Sequence, residues 1–288
     1  MRSPRRALEV VATGPMTTVQ DEGRFGHAGL GVGRSGAADL RSYALVNRLL
    51  ANPRGTAALE TTLGGLRVRA HGPVTVAVTG AEVPLRIDGR GAATHTVLHL
   101  SDGAELTMGA PTRGLRSYLG VRGGVDVPPV LGSRSTDVLA GLGPDLPVPG
   151  TSLPVGPAPD GFPRVDHVPI TPVGGPRTTL RIVLGPREDW FTDRAVDTLL
   201  SSEYEVTPRS DRVGARLTGP VLERSRGGEL PSEGMIAGSL QVPPGGEPVL
   251  FLADHPVTGG YPVVAVVRAA DLPKAAQAGP GTRVRFVL

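Results

Sequence analysis

Residues 17–52 read TTVQDEGRFGHAGLGVGRSGAADLRSYALVNRLLAN, and the rest of the chain is organised around this stretch. Closely spaced polar residues (Gln20, Asp21, Arg24) lead into a glycine-rich turn and then a helix. Ser35 is the candidate N-cap, because its hydroxyl can accept from first-turn amides. Between 37 and 50, Leu40, Tyr43, Ala44, Leu45, Val46, Leu49 and Leu50 fit one buried helical face. Asn52-Pro53 ends the helix, since the residue before a proline avoids helical backbone angles. A helix N-terminus reached through glycines also suits an anion, with Arg24 and Arg34 adding charge. The plainer reading is a capped helix after a loop.

At 288 residues the chain can hold a substantial core and two domains. A hydrophobic share of 39% with 3% aromatics makes that core Val, Leu and Ala. With 41 Gly and 29 Pro, turns are many, which favours short strands over long helices. The formal net charge is +3, and of 30 Lys and Arg residues only Lys274 is a lysine. The arginines are scattered among acidic neighbours, so neither nucleic acid nor a membrane surface is an expected partner. Arg2, Arg5 and Arg6 read as a solvated terminus. The absence of Cys removes disulfides, thiol catalysis and thiolate metal sites. No apolar run approaches a membrane span and no signal peptide opens the sequence, so the expected location is the cytoplasm.

Strands are expected at 7–12, 16–20, 57–60 and 66–70. Residues 74–79 and 84–87 alternate apolar and small polar residues, as a half-buried antiparallel pair does. Segments 96–100 and 104–108 continue the pattern, and 116–121 adds a strand. From 141 to 177 proline and glycine erase the periodicity, which reads as a linker or long loop. The second half offers strands at 179–184, 249–253, 263–267 and 283–287, with a helix at 188–201. The halves echo each other, each with strand, helix, a polar turn holding Ser and Arg, and an alternating pair. That pattern points to duplicated barrels. The expected domains are 1–150, a Pro/Gly-rich linker at 151–178, and 179–288, with strands open to exchange between the halves.

Several motifs carry candidate chemistry. Gly31-Val-Gly33-Arg-Ser-Gly36 fits the dinucleotide fingerprint, but no buried strand precedes it, so a Rossmann site is not expected. Ser133-Arg134-Ser135-Thr136 gathers hydroxyls around a guanidinium whose planar fork matches carboxylate or phosphate. Ser210-Asp211-Arg212 with Arg216 repeats the theme. Taken singly, each is equally a hydrogen-bonded loop clamp; their recurrence points to one shared polar cleft. Gln241, Asp254, His255 and Tyr261 form a further group beside Gly259-Gly260. Asp254 is either a general base or the holder of an arginine. His95 and His99 sit about 13 Å apart along an expected strand, too far to chelate together, and read as exposed sheet positions. No metal site is expected.

On these residues the chain resembles the family that includes the C-type component of 5-oxoprolinase, the second component of allophanate hydrolase and the second half of the carboxyltransferase domain of urea carboxylase. The motifs are TTVQDEGRFG, GVGRSGAAD, the 47–60 segment with its LE, RSYLGVRGGVDVPPVLGSRST, SDRVGARLTG, SEGMIAGSLQVP and DHPVTGGYP, in family order. The resemblance implies a mainly β fold with few helices, as tandem cyclophilin-like β-barrels. It implies a hydrolase subunit active only in complex, with a B-type and an A-type subunit as partners. The implied reaction is ATP-dependent opening of the 5-oxoproline lactam to L-glutamate, with ATP bound by the complex. Two other readings stand beside it. One is a carboxyltransferase-like or allophanate hydrolase component in urea or amide metabolism, where biotin would be the cofactor. The other is a non-catalytic regulator of the B-type subunit.

Carried onto this sequence, the implied cleft residues are Asp21, Asp254 and Tyr261 for catalysis. For substrate or phosphate they are Arg24, Ser35, Asp39, Arg134, Ser135, Ser210, Asp211, Arg212, Glu233 and Gln241. One departure stands out. Where relatives carry a glycine-rich segment with a basic residue after Ser135-Thr136, this chain reads LAGLGPDLPVPGTSLPVG.

Overall fold

The computed structural model describes residues 6–169, 171–228 and 230–288, so Arg2 and Arg5 lie outside the described residues. The chain clusters into two compact units. Unit 1 comprises Met1–Arg24, Asp39–Thr136 and Leu142–Val173; unit 2 comprises Phe25–Ala38, Asp137–Gly141 and Gly174–Leu288. The glycine-rich turn of the opening stretch therefore clusters with unit 2, while the helix that follows it clusters with unit 1.

Unit 1 holds a six-stranded and a five-stranded antiparallel sheet. The first runs, edge to edge, Ser152–Pro154, Ala7–Thr13, Leu66–His71, Glu105–Met108, Leu85–Ile87, Arg90–Ala92. The second runs Met16–Gln20, Ala58–Thr62, Arg113–Val121, Val74–Glu82, Leu98–Leu100. Their aliphatic faces form one core built on Val10, Val19, Leu59, Val68, Val76, Leu106 and Leu119. This corrects the expected hairpins. Val74–Glu82 pairs with Arg113–Val121 and Leu98–Leu100, whereas Leu85–Ile87 sits in the other sheet. The alternation at 74–87 reflects two strands from opposite walls of one core, not a ladder between them. Ser152–Pro154, inside the proline-rich segment, pairs with Ala7–Glu9.

The helix of the opening stretch, α1, spans Leu40–Leu49, shorter than expected. Ser35 has φ 54° and Gly36 φ 97°, so neither can belong to a right-handed turn. Asp39 is the N-cap in place of Ser35: its carboxylate accepts from Ser42 N at 3.0 Å and Ser42 Oγ at 2.7 Å. A carboxylate already occupies that helix end, which removes the expected anion seat. α1 packs on Val74–Glu82 and Arg113–Val121. Gly120 permits the approach, since a Cβ there would lie 2.8 Å from Leu50 Cδ1 and 2.9 Å from Val46 Cγ2.

Unit 2 is a closed seven-stranded barrel: Arg177–Leu184, Val263–Val267, Ser239–Gln241, Val249–Phe251, Gly214–Thr218, Glu203–Val206 and Arg283–Val287. It closes through the parallel pair of Arg177–Leu184 with Arg283–Val287. Leu180, Ile182, Leu217, Leu250, Val264 and Phe286 fill it. The expected helix at 188–201 is split. Glu188–Trp190 is a 3-10 turn, and α2 spans Asp193–Ser201 with Thr192 Oγ1 accepting from Ala195 N at 3.1 Å. A two-stranded ribbon, Glu233–Gly234 with Thr258–Gly259, completes the unit. The mainly β, tandem barrel-like architecture is the one expected. No helix among the described residues is long and apolar enough to cross a membrane.

Candidate functional site

In unit 1 the strand Met16–Gln20 delivers Asp21 to the turn 130–136. Asp21 Oδ1 accepts from Ser133 Oγ (2.6 Å), Ser135 Oγ (2.6 Å) and Gly23 N (2.8 Å). Its Oδ2 accepts from Arg134 N at 2.6 Å. Asp21 N donates back to Ser135 Oγ at 3.0 Å, and Gln20 Nε2 donates to Thr136 O at 2.8 Å. All of these side chains but Arg134 are buried. With four donors on one carboxylate, Asp21 has little lone-pair capacity left to take a proton. In this arrangement its carboxylate positions the turn.

Arg24 lies 2% exposed in the same knot. Nε donates to Val130 O at 3.4 Å and Nη2 to Ser135 O. Its Nη1 is buried without a hydrogen-bond partner among the described residues. Arg134 points elsewhere: Nε donates to Val127 O (2.7 Å) and Nη2 to Asp126 Oδ1 (2.9 Å), and its side chain is 35% exposed. Asp39 stands apart from the knot as the α1 cap. Its backbone N–H donates to Tyr118 Oη (2.7 Å), whose hydroxyl donates to Glu60 Oε2 (2.7 Å). Burial, with the Glu60 and Asp39 charges adding, pushes the Tyr118 phenol well above its usual range.

In unit 2, Ser35 Oγ donates to Asp254 Oδ1 at 2.7 Å. Arg212 grips both oxygens of Asp254, Nε to Oδ2 and Nη2 to Oδ1, each at 2.9 Å. Val138 N also donates to Asp254 Oδ2 (3.1 Å), and Arg212 Nη2 donates to Gly36 O (2.7 Å). Asp254 thus holds an arginine, one of the two roles open to it. Ser210 and Asp211 build a neighbouring turn. Asp211 Oδ1 accepts from Val213 N (2.8 Å) and Gly214 N (3.0 Å), and Ser210 Oγ from Arg216 N (3.0 Å).

A second group in unit 2 surrounds the ribbon. Glu233 is ion-paired with Arg187 and lies opposite Gly259. Buried Gln241 donates through Nε2 to Tyr261 O at 3.2 Å. A Cβ at Gly259 would fall 2.6 Å from that same Nε2. The Tyr261 ring is exposed, with the Arg224 guanidinium 5.9 Å from its centroid.

The three arginines expected to line one hollow are thus each held by their own partners: Arg24 by carbonyls, Arg134 by Asp126 and Val127, Arg212 by Asp254 and Gly36. His95 is also corrected. It is 4% exposed in a turn at φ 58°, and burial lowers its pKa; His99 alone is an exposed sheet position. Sequence reasoning did not single out Asp126, whose Oδ1 accepts from Arg134 Nη2. Among the described residues no three His, Asp or Glu groups gather as metal ligands.

A chain with two β units, whose polar residues at 20–39, 133–136, 210–212 and 233–261 buttress turns against sheets, has the make-up of a carboxyltransferase domain. The family model for the carboxyltransferase domain, subdomain A and B, matches residues 30–288, and the chain belongs to this family. Among curated relatives it is 36% identical over 283 residues to the C-type component of 5-oxoprolinase from Escherichia coli K12, covering 97% of this chain and 90% of that one. It is 34% identical over 306 residues to urea amidolyase of Saccharomyces cerevisiae, covering 98% of this chain but 16% of that protein. The crystal structure of Kluyveromyces lactis urea carboxylase superposes with a TM-score of 0.92 at 31% identity, over all of this chain and 28% of that one.

Proposed function

We propose that this chain is the C-type component of an ATP-dependent 5-oxoprolinase. In this reading it works with A- and B-type subunits to open the 5-oxoproline lactam to L-glutamate. The observation that carries it is the similarity, along 97% of this chain, to the C-type component of 5-oxoprolinase at 36% identity. The lactam carbonyl oxygen would take the terminal phosphoryl group of ATP, releasing ADP. Water would then add at that carbon, the ring C–N bond would break to a free amine, and phosphate would leave. ATP is bound by the assembled complex.

Within this chain the proposed site residues divide by what their atoms are free to do. Asp21, Ser135, Ser35, Arg212 and Asp254 position the loops, because their polar atoms are already engaged. Asp39, Ser210, Asp211, Glu233 and Gln241 shape the cap, turn and ribbon. Tyr261 keeps an exposed ring and Arg134 a partly exposed guanidinium, and among the described residues Arg24 keeps one unbonded nitrogen. Purified together, the three subunits should hydrolyse ATP only when 5-oxoproline is present; ATP turnover indifferent to 5-oxoproline removes the reading. The likeness to urea amidolyase and urea carboxylase favours a second reading, a carboxyltransferase-like component. That reading requires carboxyl transfer from a carboxybiotin carrier to urea or an amide, and the same purified proteins can be assayed for it. Under the third reading, the chain would bind the B-type subunit and change its activity with no turnover of its own.

A further inference from the structure

The sequence holds three Asp-Gly pairs, Asp88-Gly89, Asp102-Gly103 and Asp160-Gly161. At such a pair no side chain shields the nitrogen that follows the aspartate, because glycine lacks a Cβ. That nitrogen can reach the aspartate's carboxyl carbon wherever neither group is held elsewhere. The structure separates the three pairs on this point.

Asp88-Gly89 is the turn that joins Leu85–Ile87 to Arg90–Ala92, with Ile87 opposite Arg90. Asp88 Oδ1 accepts from Glu105 N at 2.9 Å, and Asp88 N donates to Glu105 O at 3.0 Å. Asp102-Gly103 is held on both sides: Asp102 Oδ1 accepts from Gly72 N at 2.6 Å, and Gly103 N donates to Ala70 O at 2.8 Å. Asp160-Gly161 is held on neither. Asp160 is exposed, and among the described residues its carboxylate and the Gly161 N–H have no hydrogen bond. No strand among the described residues includes the pair, and Pro157, Pro159 and Pro163 around it have no N–H with which to enter one. A Cβ built on Gly161 would meet nothing within 4 Å, so there is room beside its nitrogen.

Arg122 holds this loop from the two sides of Asp160. Its Nη2 donates to Pro159 O (2.8 Å) and to Gly161 O, and its Nη1 donates to Leu50 O (2.8 Å) at the end of α1. One guanidinium thus latches the loop to α1, and the latch depends on ordinary backbone spacing between the carbonyls of Pro159 and Gly161.

We infer that Asp160-Gly161 is a site of spontaneous aspartate isomerisation, and that isomerisation there undoes the Arg122 latch. The Gly161 nitrogen adds to the carbon of the protonated Asp160 carboxyl group. A C–N bond forms and water leaves, giving a five-membered succinimide ring. Water then adds at the ring carbonyl that was the Asp160 main-chain carbonyl, and the bond from that carbon to nitrogen breaks. The chain now runs through the former side chain, and the former main-chain carbonyl is a free carboxylate. The product has the same atoms as the starting chain. Its backbone is one methylene longer between Pro159 O and Gly161 O, so a single nitrogen no longer serves both. The inference is independent of the reaction proposed above.

The test ages the full chain for several weeks at neutral pH in heavy-oxygen water, where each opening of the ring leaves one heavy oxygen at that aspartate. Peptide mass spectrometry then compares the three sites. Asp160 should be labelled about tenfold ahead of Asp88 and Asp102, where hydrogen bonds to the carboxylate or the nitrogen must break first. Enzymatic methylation of isoaspartyl carboxylates should mark the same peptide. The isoaspartyl fraction, separated by chromatography, should be nicked by trypsin after exposed Arg164 about fivefold faster than the fresh chain, because cleavage follows the population of the released loop. Aged Asp160→Glu, whose ring would need six members, should show neither methylation at that position nor faster nicking. Even labelling of the three aspartates, or a lead by Asp88 or Asp102, overturns the site. An isoaspartyl fraction nicked no faster than the fresh chain, or aged Asp160→Glu nicked as fast as the aged wild-type chain, overturns the release.

Discussion

Arg212 and Asp254 meet fork to fork in unit 2, with two contacts of 2.9 Å and side chains 1% and 0% exposed. Removing one member of such a pair leaves the other charged and buried, which costs about 3–5 kcal/mol. Asp254→Asn and Arg212→Met should therefore each lower the stability of unit 2 by an amount in that range, read from urea denaturation. Ser35→Ala, which removes one neutral donor to the same carboxylate, should cost about 1 kcal/mol. The double variant Arg212→Met/Asp254→Leu should recover much of the loss. A reconstituted enzyme in which Asp254→Asn destroys turnover while stability is unchanged would mark Asp254 as a proton handler instead.

The Asp21 knot gives a parallel expectation for unit 1. Ser135→Ala removes a donor from Asp21 Oδ1 and the acceptor of Asp21 N, both at buried positions. Asp21 N loses its acceptor and Oδ1 loses one of three donors, so a loss of about 1–3 kcal/mol is expected. Ser133→Ala also breaks two contacts, the donation to Asp21 Oδ1 and the acceptance from Ser135 N. It should fall in the same range, measured by chemical denaturation. If both variants leave stability unchanged, the knot is not a brace.

Acid stability should be governed in part by Asp271. The Arg181 guanidinium, bonded at 2.8 and 2.9 Å, holds its carboxyl far below the usual carboxylate range, with Lys274 adding to the effect and burial opposing it. A depressed folded-state pKa contributes stability above the unfolded value, about 3.9, and loses it as pH falls through the folded value. The gap in stability between the wild-type chain and Asp271→Asn should thus be full at neutral pH and close progressively below about pH 4. Denaturation series at several pH values check this; a gap that widens in acid refutes the assignment.

The β-rich plan was legible because strand-length apolar runs, abundant turn residues and scarce aromatics all favour short strands. Sheet partners were not. Residues 74–79 and 84–87 carry the same alternation whether they face each other in a ladder or from opposite walls, because period two specifies a face and not a neighbour. The polar residues at 20–24 and 133–136 in unit 1, and at 35, 212 and 254 in unit 2, could be picked out from the sequence, and within each unit most of them hold one another. Whether an arginine presents its fork to a ligand or spends it on a carbonyl depends on contacts more than a hundred residues away, such as Arg24 with Ser135 O.

The segment after Thr136, where this sequence departs from its resemblance, also makes a testable demand. Gly143 has φ 96°, and a Cβ built there would fall inside the contact shell of Ser135 O and 2.9 Å from Arg24 Nη2. Thr136 Oγ1 donates to Pro144 O at 3.0 Å, so the same strap is tied down one residue further on. Gly143→Ala therefore meets two penalties, a left-handed backbone and a clash with a carbonyl that already serves Arg24. Backbone strain alone costs about 1–2 kcal/mol, and overpacking adds about 1–3 kcal/mol. The strap should lift, exposing the Arg24 guanidinium, and amide exchange at 142, 143 and 145 should quicken by roughly tenfold or more, the factor that about 1.4 kcal/mol corresponds to. Gly141→Ala, at φ 64° with open space around the built Cβ, should show only the smaller backbone cost. Equal effects at the two glycines would mean that close packing over Arg24 is not what holds this segment.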